Sequence, residues 1–100
     1  MFIGVARLEL FIPASASLKD KRHVLRAVID GVRKKFNVSI AEVGYQELWQ
    51  RAALGIACTS ESIGHCRKVL QEVEKAVGRA AIDGAEIVDR AIEVVSWEDL

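Results

Sequence analysis

The most concentrated chemistry in this chain is cationic. Lys19, Lys21, Arg22, Arg26, Arg33, Lys34 and Lys35 fall in one stretch against only Asp20 and Asp30, so residues 17–37 carry +5 while the chain of 100 residues sums to zero. Separated charge of this kind makes a local positive field, and local field steers encounter with a polyanion more than net charge does. At helical spacing Lys19, Arg22, His23, Arg26, Asp30 and Arg33 share roughly one face, and Lys34 and Lys35 crowd the last turn. Such a row could track phosphates. It could equally be a solvated face whose C-terminal cations complement the helix dipole. The candidate nucleic-acid or anion contacts are Lys19, Lys21, Arg22, Arg26, Arg33 and Lys34.

Ser15, Ser17, Lys19, Lys21 and Arg22 together could hold an anion, because a helix N-terminus aims free N–H groups at a ligand. Plain capping explains the same residues. No glycine-rich loop ends in Gly-Lys-Ser/Thr, so a nucleotide P-loop is excluded. Cys58, His65, Cys66 and His23 are the soft ligands, but their spacing lacks the paired short intervals of a structural zinc site. Both cysteines fall on apolar faces, and the expectation is two buried, unpaired, metal-free thiols. Glu42, Tyr45, Glu47 and Arg51 could supply acid–base groups, yet no nucleophile with an adjacent base accompanies them. No catalytic residue, metal or cofactor is expected.

These groups are positioned by a simple alternation of elements. Residues 2–12 show the period-two pattern of a half-buried strand, ended by Pro13. Ser17 is the predicted cap of a first helix, with Asp20 in its first turn and Leu18, Leu25, Val28, Ile29, Val32 and Phe36 as its apolar stripe. Asn37 is expected to close it in the left-handed conformation. Val38–Val43 and Trp49–Thr59 read as a hairpin around a turn at 44–48, with the register ambiguous at Glu42. Ser60 is the predicted cap of a second helix with Ile63, Cys66, Val69, Leu70, Val73, Ala76 and Val77 inward and Gly78 near its end. After a loop over 79–85, residues 86–97 complete the order βαββαβ.

Two β-α-β halves whose helices cover one face predict an α+β, ferredoxin-like sandwich: a four-stranded antiparallel sheet with both helices on one side. The other face stays open. Parity places Arg7, Glu9, Phe11, Trp49, Arg51, Glu93, Val95 and Trp97 on it. Phe11, Trp49, Arg51 and Trp97 are the candidate partner interface, for a second copy or another protein. Stacking on bases is the weaker use, since the third strand lacks the closely spaced aromatics of an RNA-binding sheet.

The length allows one domain over 1–100, and 51% hydrophobic with 28% charged residues is the composition of a folded globular chain. No apolar run is long enough to span a membrane, and the start lacks a signal-peptide pattern, so a cytoplasmic location without membrane contact is expected.

Read whole, the chain resembles the YlxP-like family, a bacterial domain family of unknown function with a ferredoxin-like fold. The segments SLKDKR at 17–22, FNVSIAEVG at 36–44 and LWQRAALGIA at 48–57 carry the resemblance. Histidine often stands in that family where this chain has Tyr45, which argues against an obligate acid–base or metal role there. The resemblance implies the fold and transfers no catalytic residue. Members often lie near translation and ribosome-maturation genes, which implies an RNA- or ribosome-associated binding module. The alternative is a protein-interaction module that uses the open sheet face.

Overall fold

Strand and helix periodicities in the chain become six elements in the computed structural model, which describes residues 1–81 and 84–100. They are β1 (Phe2–Phe11), α1 (Leu18–Lys35), β2 (Ser39–Gly44), β3 (Arg51–Ser60), α2 (Ile63–Ala80) and β4 (Glu86–Ser96), with a short 3-10 turn at Trp97–Asp99. The strands pair antiparallel in the order β2-β3-β1-β4. Alternation along β1 sends Ala6, Leu8 and Leu10 inward, where they meet Leu54 and Ile56 of β3, Leu25, Val28 and Val32 of α1, and Leu70, Val73 and Val77 of α2. Both helices therefore cover one sheet face, the expected ferredoxin-like sandwich.

Several boundaries differ from the sequence expectation. Phe36 leaves α1 in extended conformation (φ −128°), its N–H donating to the Val32 carbonyl, and runs straight toward β2. Asn37 has no positive φ; among the described residues the non-glycine residue with one is Tyr45, at 59°. Ser60 ends β3, and the cap of α2 is Ser62, whose Oγ accepts from the His65 N–H. α2 continues past Gly78 to Ala80, so the expected loop over 79–85 begins later; its Ile82 and Asp83 lie outside the described residues. Trp49 precedes β3 and Trp97 follows β4, so strand parity governs neither.

The ambiguity at Glu42 resolves into a register. Glu42 pairs with Leu54, a core residue, and so faces the helices, while the next pairing is Gly44 with Ala53. Val43 is the extra residue of that β-bulge. It turns to the open face and fills the space where a side chain on Gly55 would lie: an added Cβ would meet Val43 Cγ1 at 2.9 Å.

Candidate functional site

The N-terminus of α1 is closed by its own residues. Ser17 Oγ accepts from the Asp20 N–H at 3.0 Å, and Asp20 Oδ2 accepts from the Ala16 N–H at 3.0 Å. Ser15 is buried and donates to the Ser17 carbonyl. Ser15, Ser17 and Asp20 are therefore spent on capping.

Lys21 corrects the predicted anion set most directly. It is 1% exposed and lies on the inward stripe with Leu25, Val28 and Val32. Its Nζ lies 2.9 Å from Glu42 Oε2 and donates to the carbonyls of Tyr45, Gln46 and Arg51 at 2.9, 3.3 and 3.2 Å. An ammonium has three N–H donors, so the three carbonyls take them all while Glu42 balances the charge. Lys21 holds the β2–β3 loop to α1 and leaves the candidate contact set. Its spacing to Leu25 and Val28, i to i+4 and i+7, was the sequence signal for burial.

The remaining candidates stand on the exposed side of α1. Lys19, Arg22, Arg26, Arg33, Lys34 and Lys35 are exposed, and none has a carboxylate within 4.0 Å among the described residues. Arg33 is partly committed, since its Nη2 donates to the Ile40 carbonyl on edge strand β2 at 3.0 Å. At the helical rise, Lys19 to Arg33 spans about 21 Å. The second helix adds to the field. α1 carries seven cations against two acids and α2 four against two, giving the helical layer +7 and the remainder of the chain −7. The helical layer is thus positive relative to the rest of the chain.

Arginines on the sheet face are neutralised locally. Arg7 and Arg51 both donate to Glu9, the latter at 2.9 Å, and Tyr45 Oη donates to Glu9 at 3.3 Å. The two guanidinium carbons lie 5.7 and 4.9 Å from the Tyr45 ring centroid. The Arg7 guanidinium above all, then Arg51 and the Tyr45 hydroxyl, holds the Glu9 carboxyl below the usual carboxylate range. A carboxylate so saturated with donors is an ionic clamp and a poor proton acceptor.

The predicted partner interface does not assemble as one patch. Phe11 and Arg51 are paired across β1 and β3, with Trp49 two residues before Arg51. Trp97 lies at the opposite end of β1, its N–H donating to the Met1 carbonyl, about 30 Å away at the strand rise. Trp49 sits instead with Val43, Tyr45 and Leu48, which sequence reasoning did not assign to an interface; all four are exposed, Trp49 by 55% and Leu48 by 48%. The loop of Tyr45, Leu48 and Trp49 is the one that Lys21 pins. The thiols Cys58 and Cys66 are free; Cys66 is buried and Cys58, expected to be buried, is half-buried.

Comparison with known proteins agrees with this architecture. The model of a family described as a protein of unknown function (DUF503) matches residues 3–92. The chain is 43% identical over 95 residues to "Uncharacterized protein YlxP" of Bacillus subtilis (strain 168), covering 95% of this chain and 98% of that one. Among solved structures it resembles a de novo designed protein with ferredoxin fold (TM-score 0.56, 11% identity, 95% of this chain and 84% of that one). It also resembles a putative chlorite dismutase (TM-score 0.60, 11% identity), covering 99% of this chain but 46% of that one. At such identity these likenesses show the fold alone. No helix among the described residues is long and apolar enough to cross a membrane.

Proposed function

Because the chain belongs to the DUF503 family of proteins of unknown function, we propose its activity from its own surface: an RNA- or ribosome-associated binding module that holds phosphates on the exposed face of α1. One observation carries the reading. Lys19, Arg22, Arg26, Lys34 and Lys35 stay exposed without a carboxylate within 4.0 Å among the described residues, whereas Arg7, Arg51 and Arg90 are each matched to a glutamate. A protein that neutralises the arginines of its strands but leaves this helical row open has positive field available for a polyanion.

The test exchanges Lys19, Arg22 and Arg26 for Glu, leaving Arg33 on its β2 carbonyl and Lys21 in the core. Each lost phosphate contact should lower the slope of log affinity against log salt by about 0.7–0.9. RNA affinity is measured for parent and variant across a salt series, with thermal melting as the folding control. Equal affinities and slopes in the two proteins, or no RNA binding by the parent at low salt, count against the reading.

A second reading is supported by a separate observation. Val43 at the end of β2 and Tyr45, Leu48 and Trp49 on the following loop expose apolar surface within seven residues, and Lys21 ties that loop down. Held apolar side chains of this kind suit a protein partner, including a second copy. If self-association is their use, sedimentation shows a concentration-dependent dimer that Trp49→Ala removes while RNA affinity is unchanged.

A further inference from the structure

We infer that the polyanion fitted by the helical layer is the backbone of double-helical RNA, an inference that rests on the RNA-binding reading above. The positions of the aromatic side chains come first. Phe2 and Phe11 are on β1, Phe36 packs half-buried against the core, Tyr45 and Trp49 sit in the β2–β3 loop, and Trp97 follows β4. No Phe, Tyr or Trp therefore lies on the exposed side of α1 or α2. Surfaces that hold single strands combine cations with aromatic platforms on which the bases stack. Without a platform, a flexible strand must be ordered by phosphate contacts alone. A duplex arrives already ordered, and with two backbones it presents about twice the phosphate charge of one of its strands along the same length of axis.

The shape of the charged field points the same way. Around α1, the helical spacing sets Arg22, Arg26 and Arg33 on the side of edge strand β2, where Arg33 reaches Ile40. Lys35 lies on the other side, across a shallow groove from Arg79 of α2, over a floor that includes Gly31, Ala76 and Ala80. An added Cβ on Gly31 would meet nothing within 4 Å, so this floor is open. Cations thus flank α1 on both sides, a row of three along β2 and the pair Lys35 and Arg79 at the C-terminal end of the other flank. One strand can follow one row. Two strands held apart by a groove can meet both, which is how proteins that bind double-stranded RNA by shape contact its backbone.

Fluorescence anisotropy with a mixed-sequence RNA duplex long enough to span α1, and with an unstructured RNA single strand of equal length, separates the possibilities. The duplex should bind roughly tenfold or more tightly at low salt, with the steeper dependence of about 0.9 rather than 0.7 per phosphate contact. The double variant Lys35→Glu, Arg79→Glu should weaken the duplex and narrow its advantage over the single strand, with unchanged thermal melting. Equal or tighter binding of the single strand, or a duplex advantage untouched by the double variant, overturns the duplex inference and leaves the RNA reading standing. Binding of neither RNA overturns both.

Discussion

Lys21 Nζ and Glu42 Oε2 lie 2.9 Å apart beneath the β2–β3 loop, joining an inward-facing lysine of α1 to an inward-facing glutamate of an edge strand. The lysine's charge, fully buried, would be costly there alone. The lysine also donates to three carbonyls of the loop, so one side chain fixes the loop's path and the partner for a carboxylate on the core face. Tyr45 is held by the same contact. Its left-handed backbone is unusual for a residue with a Cβ, and its carbonyl is the acceptor at 2.9 Å.

Removing Lys21 should therefore be costly. Lys21→Met leaves Glu42 without its counter-charge and three carbonyls without their donor, and breaking a buried pair from one side costs about 3–5 kcal/mol. Glu42→Gln retains an oxygen for the ammonium and should cost less, about 1–3 kcal/mol. Urea denaturation of both variants tests the order. A Lys21→Met protein as stable as the parent would mean that the loop is held by other contacts.

The Glu9 clamp gives stability a pH dependence of definite sign. The folded-state pKa of Glu9 is lowered, chiefly by Arg7, so its contribution is present above the unfolded value of about 4.3 and is lost as pH falls through the folded value below it. Glu9→Gln should melt below the parent at neutral pH. That gap should close as pH drops below about 4. A gap that stays constant down to strongly acid pH would show that the two arginines do not favour the ionised form.

The order of elements and most of the core were legible because period-two and helical patterns are written in local residue type. Leu8, Leu10, Leu25, Val28, Val32, Leu70 and Val73 could be placed inward from spacing alone. Lys21 could not be placed by residue type, since lysine is rarely buried and becomes so only when a distant chain segment supplies its acceptors. Glu42, Tyr45 and Arg51 are 21, 24 and 30 residues away in sequence, and only the fold brings them together. Trp97 failed for a related reason. It lies beyond the end of β4, where parity no longer gives a face, and parity never gives a position along the sheet.

The thiols should be slow to react in the folded protein. Cys66 is buried, and burial, reinforced by the neighbouring Cys66 thiol, pushes the Cys58 pKa up, which keeps the nucleophilic thiolate scarce near neutral pH. An aromatic disulfide reagent should titrate two thiols at once in denaturant and both slowly without it. Immediate reaction of Cys58 in the native state would place its sulfur in solvent.

Two glycines make opposite predictions under the same substitution. Gly4 lies inward on β1 beneath α2, where an added Cβ would come within 2.9 Å of Leu70 Cδ1, 3.1 Å of Cys58 Sγ and 3.3 Å of Cys66 Cβ. Leu70 and Cys66 are fully packed and Gly4 is central in its sheet, so the neighbours must move. Gly4→Ala should cost about 1–3 kcal/mol, the usual penalty of overpacking. Gly31 sits inside exposed helix α1, with no positive φ and no atom within 4 Å of an added Cβ. There the methyl meets no resistance and the unfolded chain loses freedom, so Gly31→Ala should stabilise by about 0.5–1 kcal/mol. Melting temperatures of the two variants should move in opposite directions from the parent. A stabilising Gly4→Ala would mean that the β1–α2 contact is looser than these distances state, and a destabilising Gly31→Ala would mean that the groove between the helices is filled in solution.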